Sequence, residues 1–293
     1  MQHVVILFYK YIEIEEPEAL MESQKFLCKK LDLKGRMIIA KEGVNGTFEG
    51  TPESVREYCK ALKSDPRFAD VHIKKSEGNG KTFPKLSIKV RDEIVGSHFE
   101  RDVNPTKVTG KYITAEELHE LIHSDREFYI VDMRNDFEQE VGYFENSILP
   151  GMRNFRDLPK VLPKLAHLKG KTVITICTGG VRCEKASGFL VKNGFEDVYQ
   201  LFGGIHSYME KYPNEDFKGS LYVFDQRIVM GFNREEREVV GKCASCKTPS
   251  ENYINCSNDI CHKHFIMCEK CVASGVPTCP EGCTDSRFGA PLL

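Results

Sequence analysis

Apolar and polar positions along this chain follow two rhythms, one suited to strands and one to helices. Residues 4–14 are rich in β-branched and aromatic side chains, which predicts a strand. Residues 18–31 place Leu20, Met21, Phe26, Leu27 and Leu31 at spacings that suit a helix. Residues 37–40 read as a short strand, and KEGVNGT (41–47) reads as a Gly/Asn turn. Thr51-Pro52-Glu53 is a good helix start, a Thr cap followed by Pro and an acid, and that helix runs to about residue 62. Residues 71–74 and 86–90 are further strands. Beyond them, Thr114 to Glu117 fits a capping box at a helix start. The apolar runs 128–131 and 173–176 read as buried strands of a parallel sheet. Residues 185–191 read as helix, and 197–201 as a strand that leads to Gly203-Gly204. A strand-like stretch at 221–224 precedes a Cys-rich tail. No internal repeat or low-complexity tract interrupts this order.

The fold class is α/β. Residues 1–110 predict a ferredoxin- or acylphosphatase-like α+β domain, with the order βαββαβ or close to it. Residues 111–213 predict an α/β domain around a central parallel sheet. Residues 214–293 form a small Cys-rich region. The apolar run 4–8 has five residues, short of the roughly 7–15 of a signal peptide. No segment approaches the ~18 apolar residues of a membrane span. These features predict a soluble cytoplasmic protein that does not engage a membrane.

Composition adds one asymmetry. Net charge is −2, so no global bias points to a polyanion or an anionic membrane. Trp is absent, and of 12 Cys eight lie between Cys243 and Cys283. In a reducing compartment, clustered Cys more often bind metal or do chemistry than form disulfides. Cys28 and Cys59 fall on predicted helices, which suits packing.

The strongest candidate site is TVITICTGGVRCEKASGFLV (172–191). A β-branched strand ends at Cys177; Thr178, Gly179, Gly180, Val181 and Arg182 follow, and then a helix. Two glycines let the backbone curl so that successive N–H groups point at the Cys sulfur. The helix N-terminus and the Arg182 charge add positive potential. Together they favour a thiolate, a persulfide or a bound oxyanion. Cys183 directly follows Arg182, and two roles are open to it: resolving an oxidised or persulfidated Cys177, or packing.

CTGGVRCEKAS resembles the active-site loop of rhodanese domains, and the flanks agree. Asp132-Met133-Arg134 resembles the family's Asp-x-Arg strand end, the stretch Glu140 to Ile148 its acidic run into Gly-His-Ile, and Gly194 to Ile205 its Gly-Phe to Gly-Gly-Ile ending. Tyr143 stands where the usual pattern has His, and Tyr208 where many members carry Trp. Six residues from Cys177 through Arg182 match the sulfur-handling loop; related phosphatases have one more.

With KEGVNGT before it and GSLYVFDQRIV and the Cys-rich tail after it, nearly the full chain resembles the bacterial tRNA uridine hydroxylase family. That resemblance implies oxygen-dependent conversion of wobble uridine to 5-hydroxyuridine, tRNA as partner, molecular oxygen as co-substrate and an essential Cys177. The residues alone reach only sulfur transfer, so a rhodanese-type sulfurtransferase using a Cys177 persulfide remains the alternative. A third reading, a non-catalytic scaffold, is opposed by the intact Cys177/Arg182 loop. No flavin, nicotinamide or haem fingerprint occurs, nor a His-x-Asp facial triad. Gly78 to Thr82 lacks the opening Gly of a P-loop, because Lys75 stands there. No stable protein partner is expected.

Charge is uneven along the first domain. Lys60, Lys63, Arg67, Lys74, Lys75, Lys81, Lys85, Lys89 and Arg91 face only Asp65, Asp70 and Glu77, a local excess of six positive charges. Such a cluster suits phosphate contacts, with Phe68 and Phe83 as candidate stacking faces. A solvated domain face is the plainer reading. In the tail, the pairs Cys243/Cys246, Cys256/Cys261, Cys268/Cys271 and Cys279/Cys283 can complete two four-Cys zinc sites, interleaved or sequential. A disulfide-stapled tail, an iron–sulfur cluster and an unmetallated tail are the competing readings. His262 and His264 are spare candidate ligands.

Overall fold

Strand β1 (His3–Tyr11) begins a five-stranded sheet in the computed structural model, which describes residues 3–99, 103–233, 237–261, 263–275, 277–280 and 283. Helix α1 (Pro17–Lys30), β2 (Lys34–Ala40), β3 (Gly43–Gly50), α2 (Pro52–Ser64), β4 (Ile73–Gly78) and β5 (Leu86–Val90) complete the unit. The sheet order is β4-β1-β3-β2-β5, with β5 parallel to β2 and the other pairs antiparallel. This is the predicted βαββαβ order followed by edge strand β5, which falls on the strand predicted at 86–90. Thr51 accepts from the Ser54 amide to cap α2, as its sequence predicts.

One expectation is overturned. KEGVNGT is not a turn: only Lys41 and Glu42 turn, and Gly43–Gly50 is the central strand of the sheet. Glycine there meets a packing need. A Cβ on Gly46 would lie 2.6 Å from the Phe8 ring, which is fully buried. The position has room for backbone alone, so a buried strand carries a turn-like composition.

Strand alternation gives the sheet two uses. Ile6, Phe8, Met37, Ile39 and Phe48 face α1 and α2 in one apolar core, joined by Cys28, with Cys59 packed against it. Val5, Leu7, Tyr9, Arg36, Ile38, Asn45, Thr47 and Ser76 occupy the opposite face and line a cavity shared with the next unit.

That unit comprises β6 (Lys111–Ile113), α3 (Ala115–Ile122), β7 (Tyr129–Asp132), α4 (Asp136–Gln139), β8 (Gly142–Phe144), α5 (Leu158–Leu165), β9 (Thr172–Ile176), α6 (Val181–Lys192), β10 (Asp197–Leu201) and α7 (Gly204–Lys211). A parallel sheet runs in the order β6-β10-β9-β7. The capping box at Thr114 and Glu117 forms. Strand β11 (Phe217–Gly219) pairs with β8 and leads into the third segment. The predicted strand at 221–224 is shorter: β12 (Leu221–Tyr222) pairs with β13 (Val229–Met230), and Val223 and Phe224 turn into the cavity lining. Strands β14 (Tyr253–Asn255) and β15 (His264–Ile266) and helix α8 (Glu269–Ser274) make the tail.

The first two units are also tied by charge. Lys185 of α6 has no exposed surface and lies 2.8 Å from Glu42 and 3.4 Å from Glu93. Among the described residues, no helix is long and apolar enough to cross a membrane.

Gly46→Ala is expected to destabilise the chain by about 1–3 kcal/mol through overpacking against Phe8. A lowered midpoint of urea unfolding checks this.

Candidate active site

Cys177 stands at the carboxyl end of β9, where a buried parallel strand delivers side chains to the crevice beyond the sheet. It is fully buried. Gly180 is the N-cap of α6 at φ +101°, a left-handed conformation that glycine adopts without strain. That turn aims the Gly180 amide at the Cys177 sulfur, 3.2 Å away. Thr178, Gly179 and Val181 complete the loop, and the N-terminus of α6 lies immediately behind it.

Burial alone pushes the Cys177 thiol up. The Cys183 thiol donating to its sulfur, the Arg182 charge and the Cys183 and Gly180 amides outweigh that and hold it at about 6. Cys183 moves the other way. Burial and its hydrogen bond to Cys177 push its thiol well above the ordinary range. At neutral pH one sulfur is therefore a thiolate and the other its protonated donor.

Arg182 needs its own partner, and the sequence reading missed it. Glu138, fully buried on α4, accepts from both Arg182 guanidinium Nη atoms, at 2.8 Å for Nη2, and from the Thr178 hydroxyl at 3.1 Å. Its only sequence signal is an acid a few residues past Asp132-Met133-Arg134. Arg134 is itself buried, grips Asp132 through two nitrogens, and donates to the carbonyls of Glu138 (3.2 Å) and Gly142 (2.7 Å). It thereby fixes the backbone that carries Glu138.

The site opens onto a cavity of about 520 Å³. The first sheet supplies one wall, the Cys177 loop the floor, and Val223, Phe224, Asp225, Arg227 and Met230 a third side. Tyr11 donates to the Val181 carbonyl at 3.2 Å, and Tyr9 to Glu184 at 3.1 Å, so β1 seats directly on the loop. His206, on α7, is neutral, its imidazole lowered to about 3 by burial and by the charges of Lys74, Arg227 and His72.

Two expectations about the basic cluster change. Lys74 is not a surface residue; its ammonium is buried over the Tyr9 ring, 5.3 Å from the centroid, and burial lowers it to about 8. Phe68 is buried in the first core and Phe83 is buried in the segment between β4 and β5, so neither offers a stacking face. The other basic members, Lys60, Lys63, Arg67, Lys75, Lys81, Lys85, Lys89 and Arg91, remain exposed.

The tail cysteines gather in the interleaved arrangement. Cys243, Cys246, Cys268 and Cys271 form one group; Cys256, Cys261, Cys279 and Cys283 form the other. Cys246 and Cys268 sulfurs are 3.6 Å apart, and Cys261 and Cys279 sulfurs 3.7 Å. A tetrahedron with metal–sulfur bonds of ~2.3 Å has edges of about 3.8 Å, so both groups fit a four-thiolate metal ion. His264 is in neither group; it stacks on Tyr253 at 4.7 Å. His262 lies outside the described residues. A third group, His119, His123 and Asp216, is joined by tertiary contact, and Tyr208 donates its hydroxyl to Asp216. A Trp at position 208 would lack that hydroxyl.

Parallel sheet, strand-end cysteine and six-residue loop define a rhodanese-type domain, and family matches agree. Residues 3–94 match the "UPF0176 acylphosphatase like domain", 114–211 the "Rhodanese-like domain" and 218–284 the "Rhodanase C-terminal" family. A rhodanese-like domain protein from Staphylococcus aureus aligns with 33% of this chain and 90% of its own, at 31% identity and TM-score 0.30. Over the whole length, the chain is 43% identical to a tRNA uridine(34) hydroxylase of Cytophaga hutchinsonii, covering 95% of this chain and 89% of that one. A Bacillus cytotoxicus relative of the same name is 41% identical over 95% and 87% of the two chains. The chain belongs to the tRNA uridine(34) hydroxylase family.

Alkylation of Cys177 should titrate with a midpoint near pH 6. Arg182→Met should raise that midpoint by about one unit or more, because a neighbouring positive charge is lost. Glu138→Gln should move it down, because the charge that offsets Arg182 is lost. Iodoacetamide rates followed against pH, with peptide mapping, check both signs.

Proposed function

We propose that this chain is an oxidoreductase that hydroxylates uridine 34 of tRNA, the activity its relatives are named for, and that it does so at C5 with molecular oxygen as co-substrate. One oxygen atom enters the base and the other leaves as water, so each turnover also consumes two electrons and two protons from a reductant. The enzyme works in the cytoplasm. The observation that carries the proposal is a buried Cys177 thiolate on the floor of a cavity the size of one nucleotide, in a chain of this family.

Cys177 is the nucleophile. Its thiolate adds to C6 of the uracil, and the C5–C6 electron pair moves into the C4 carbonyl as an enolate. Oxygen reduced by the two electrons to the hydroperoxide level is then attacked by C5, so that the C5–O bond forms as the O–O bond breaks and the second oxygen leaves as water. Once the C5–O bond forms, loss of the C5 proton and of the thiolate restores the ring. Arg182 and the amides of Gly180 and Cys183 hold the sulfur charged before attack and after release; Thr178, Gly179 and Val181 shape the loop that aims them. Cys183 keeps its proton and donates to Cys177. The exposed lysines and arginines of the first domain contact tRNA phosphates.

The two tail groups hold structural zinc. A short tail buries little apolar surface, so metal binding supplies much of its folding energy. The six-residue loop also suits persulfide chemistry, which keeps sulfur transfer as the second reading.

Nucleosides from a strain lacking this protein should lose 5-hydroxyuridine by mass spectrometry, and Cys177→Ser should fail to restore it while still binding tRNA. Loss of thiolated nucleosides instead would favour sulfur transfer. The purified chain should carry about two zinc ions, four thiolates to each, and Cys271→Ser should lose one of them by elemental analysis.

A further inference from the structure

The cavity holds an aromatic side chain whose exposure the fold does not explain. Three such side chains line it: Tyr9, Phe155 and Phe224. Phe155 is buried, and the Tyr9 hydroxyl is committed to Glu184. Phe224 keeps 40% of its surface exposed. An apolar ring left open in the wall of a half-open cavity beside the reactive sulfur is a contact surface for a ligand.

Phe224 is also held firmly. It sits in the loop between β12 and β13, where the Val223 amide donates to the Ile228 carbonyl at 2.7 Å. Asp225 grips the Arg227 guanidinium, which reaches the first sheet at Ser76 (2.9 Å) and at the Glu77 carbonyl (2.8 Å). The Gln226 amide donates to the Thr82 carbonyl at 3.1 Å. The Tyr222 ring meets the Phe224 ring edge-on at 5.2 Å. The loop is thus pinned to the first domain on both sides of its tip, and the ring is presented rather than loose.

Charge identifies the ligand class. The guanidinium carbons of Arg36 and Arg182 lie 6.0 Å and 5.7 Å from the Phe224 centroid. Arg156 and Arg227 line the same cavity. A planar group carrying phosphate matches a ring beside several arginines. The volume of about 520 Å³ is that of a small-ligand site, which a base enters when it is turned out of its stack.

We propose that Phe224 is the stacking platform that holds the target uracil beside Cys177, with Arg36 and Arg156 on the flanking phosphates. This rests on the tRNA reading above. It assigns the base-holding role to a residue of the third segment rather than to Phe68 or Phe83 of the basic domain. The role is positional: Phe224 sets where the base lies and takes no part in bond changes.

The sequence contains no Trp, so Phe224→Trp places a single tryptophan at the proposed contact. The full-length variant is titrated with two end-labelled anticodon stem-loops, one with uridine at position 34 and one abasic there. Label anisotropy reports binding, and tryptophan emission reports stacking. The expected result is quenching by the uridine loop and none by the abasic loop, although both bind. Phe224→Ala, read by anisotropy alone, should weaken the uridine loop by about tenfold or more and leave the abasic loop unchanged. That second variant stands if the Trp form fails to fold. Equal quenching by both loops, or an equal loss of affinity for both, would overturn the platform while leaving tRNA binding intact. If neither loop binds wild-type protein, the tRNA reading fails and the platform with it.

Discussion

An ionised sulfur without exposed surface organises this molecule. Water stabilises an exposed thiolate; here the protein must replace that water with fixed charge and N–H groups. Arg182, Cys183 and the Gly180 amide do so. Arg182 is nearly buried as well, and it is tolerable there because Glu138 faces it. Glu138 keeps its place because Arg134, locked to Asp132, holds the carbonyl of residue 138. Two buried ion pairs thus stand in series behind one sulfur. Removing one member of such a pair leaves an uncompensated charge, which typically costs about 3–5 kcal/mol.

The same requirement explains why the first domain sits where it does. A rhodanese-type loop on its own would face solvent. The free face of the β1–β4 sheet covers it, with Tyr9 and Tyr11 bonded to residues of α6 and Lys185 paired with Glu42 and Glu93. The cover does not seal the site. Between the sheet, the loop and the Phe224 turn remains a cavity of about 520 Å³. The sulfur is shielded enough to be tuned, while the cavity beside its loop stays open.

Local signals were legible wherever local physics decides. The caps at Thr51 and Thr114 form because a side-chain oxygen needs only an amide three residues away. The strand to Cys177 and the loop to Arg182 are contiguous, so their chemistry could be read directly. KEGVNGT misled because its glycines answer to the Phe8 ring, a neighbour distant along the chain. Phe68 and Phe83 misled for a related reason: an aromatic residue among lysines looks solvent-facing until the core claims it. Glu138 carried no spacing rule that links it to Arg182, since the pair closes across 44 positions.

Residue order therefore settled the capped helices, the reactive loop and the number of tail thiolates, because each depends on neighbours within a few residues. Tertiary structure alone decided which charge answers Arg182, how the thiolates interleave, and which face of the first sheet covers the sulfur. It also decided that Phe224 keeps an open ring in the cavity wall. Those outcomes depend on distance through space, and strand alternation offers two faces without saying which one a neighbouring domain will take.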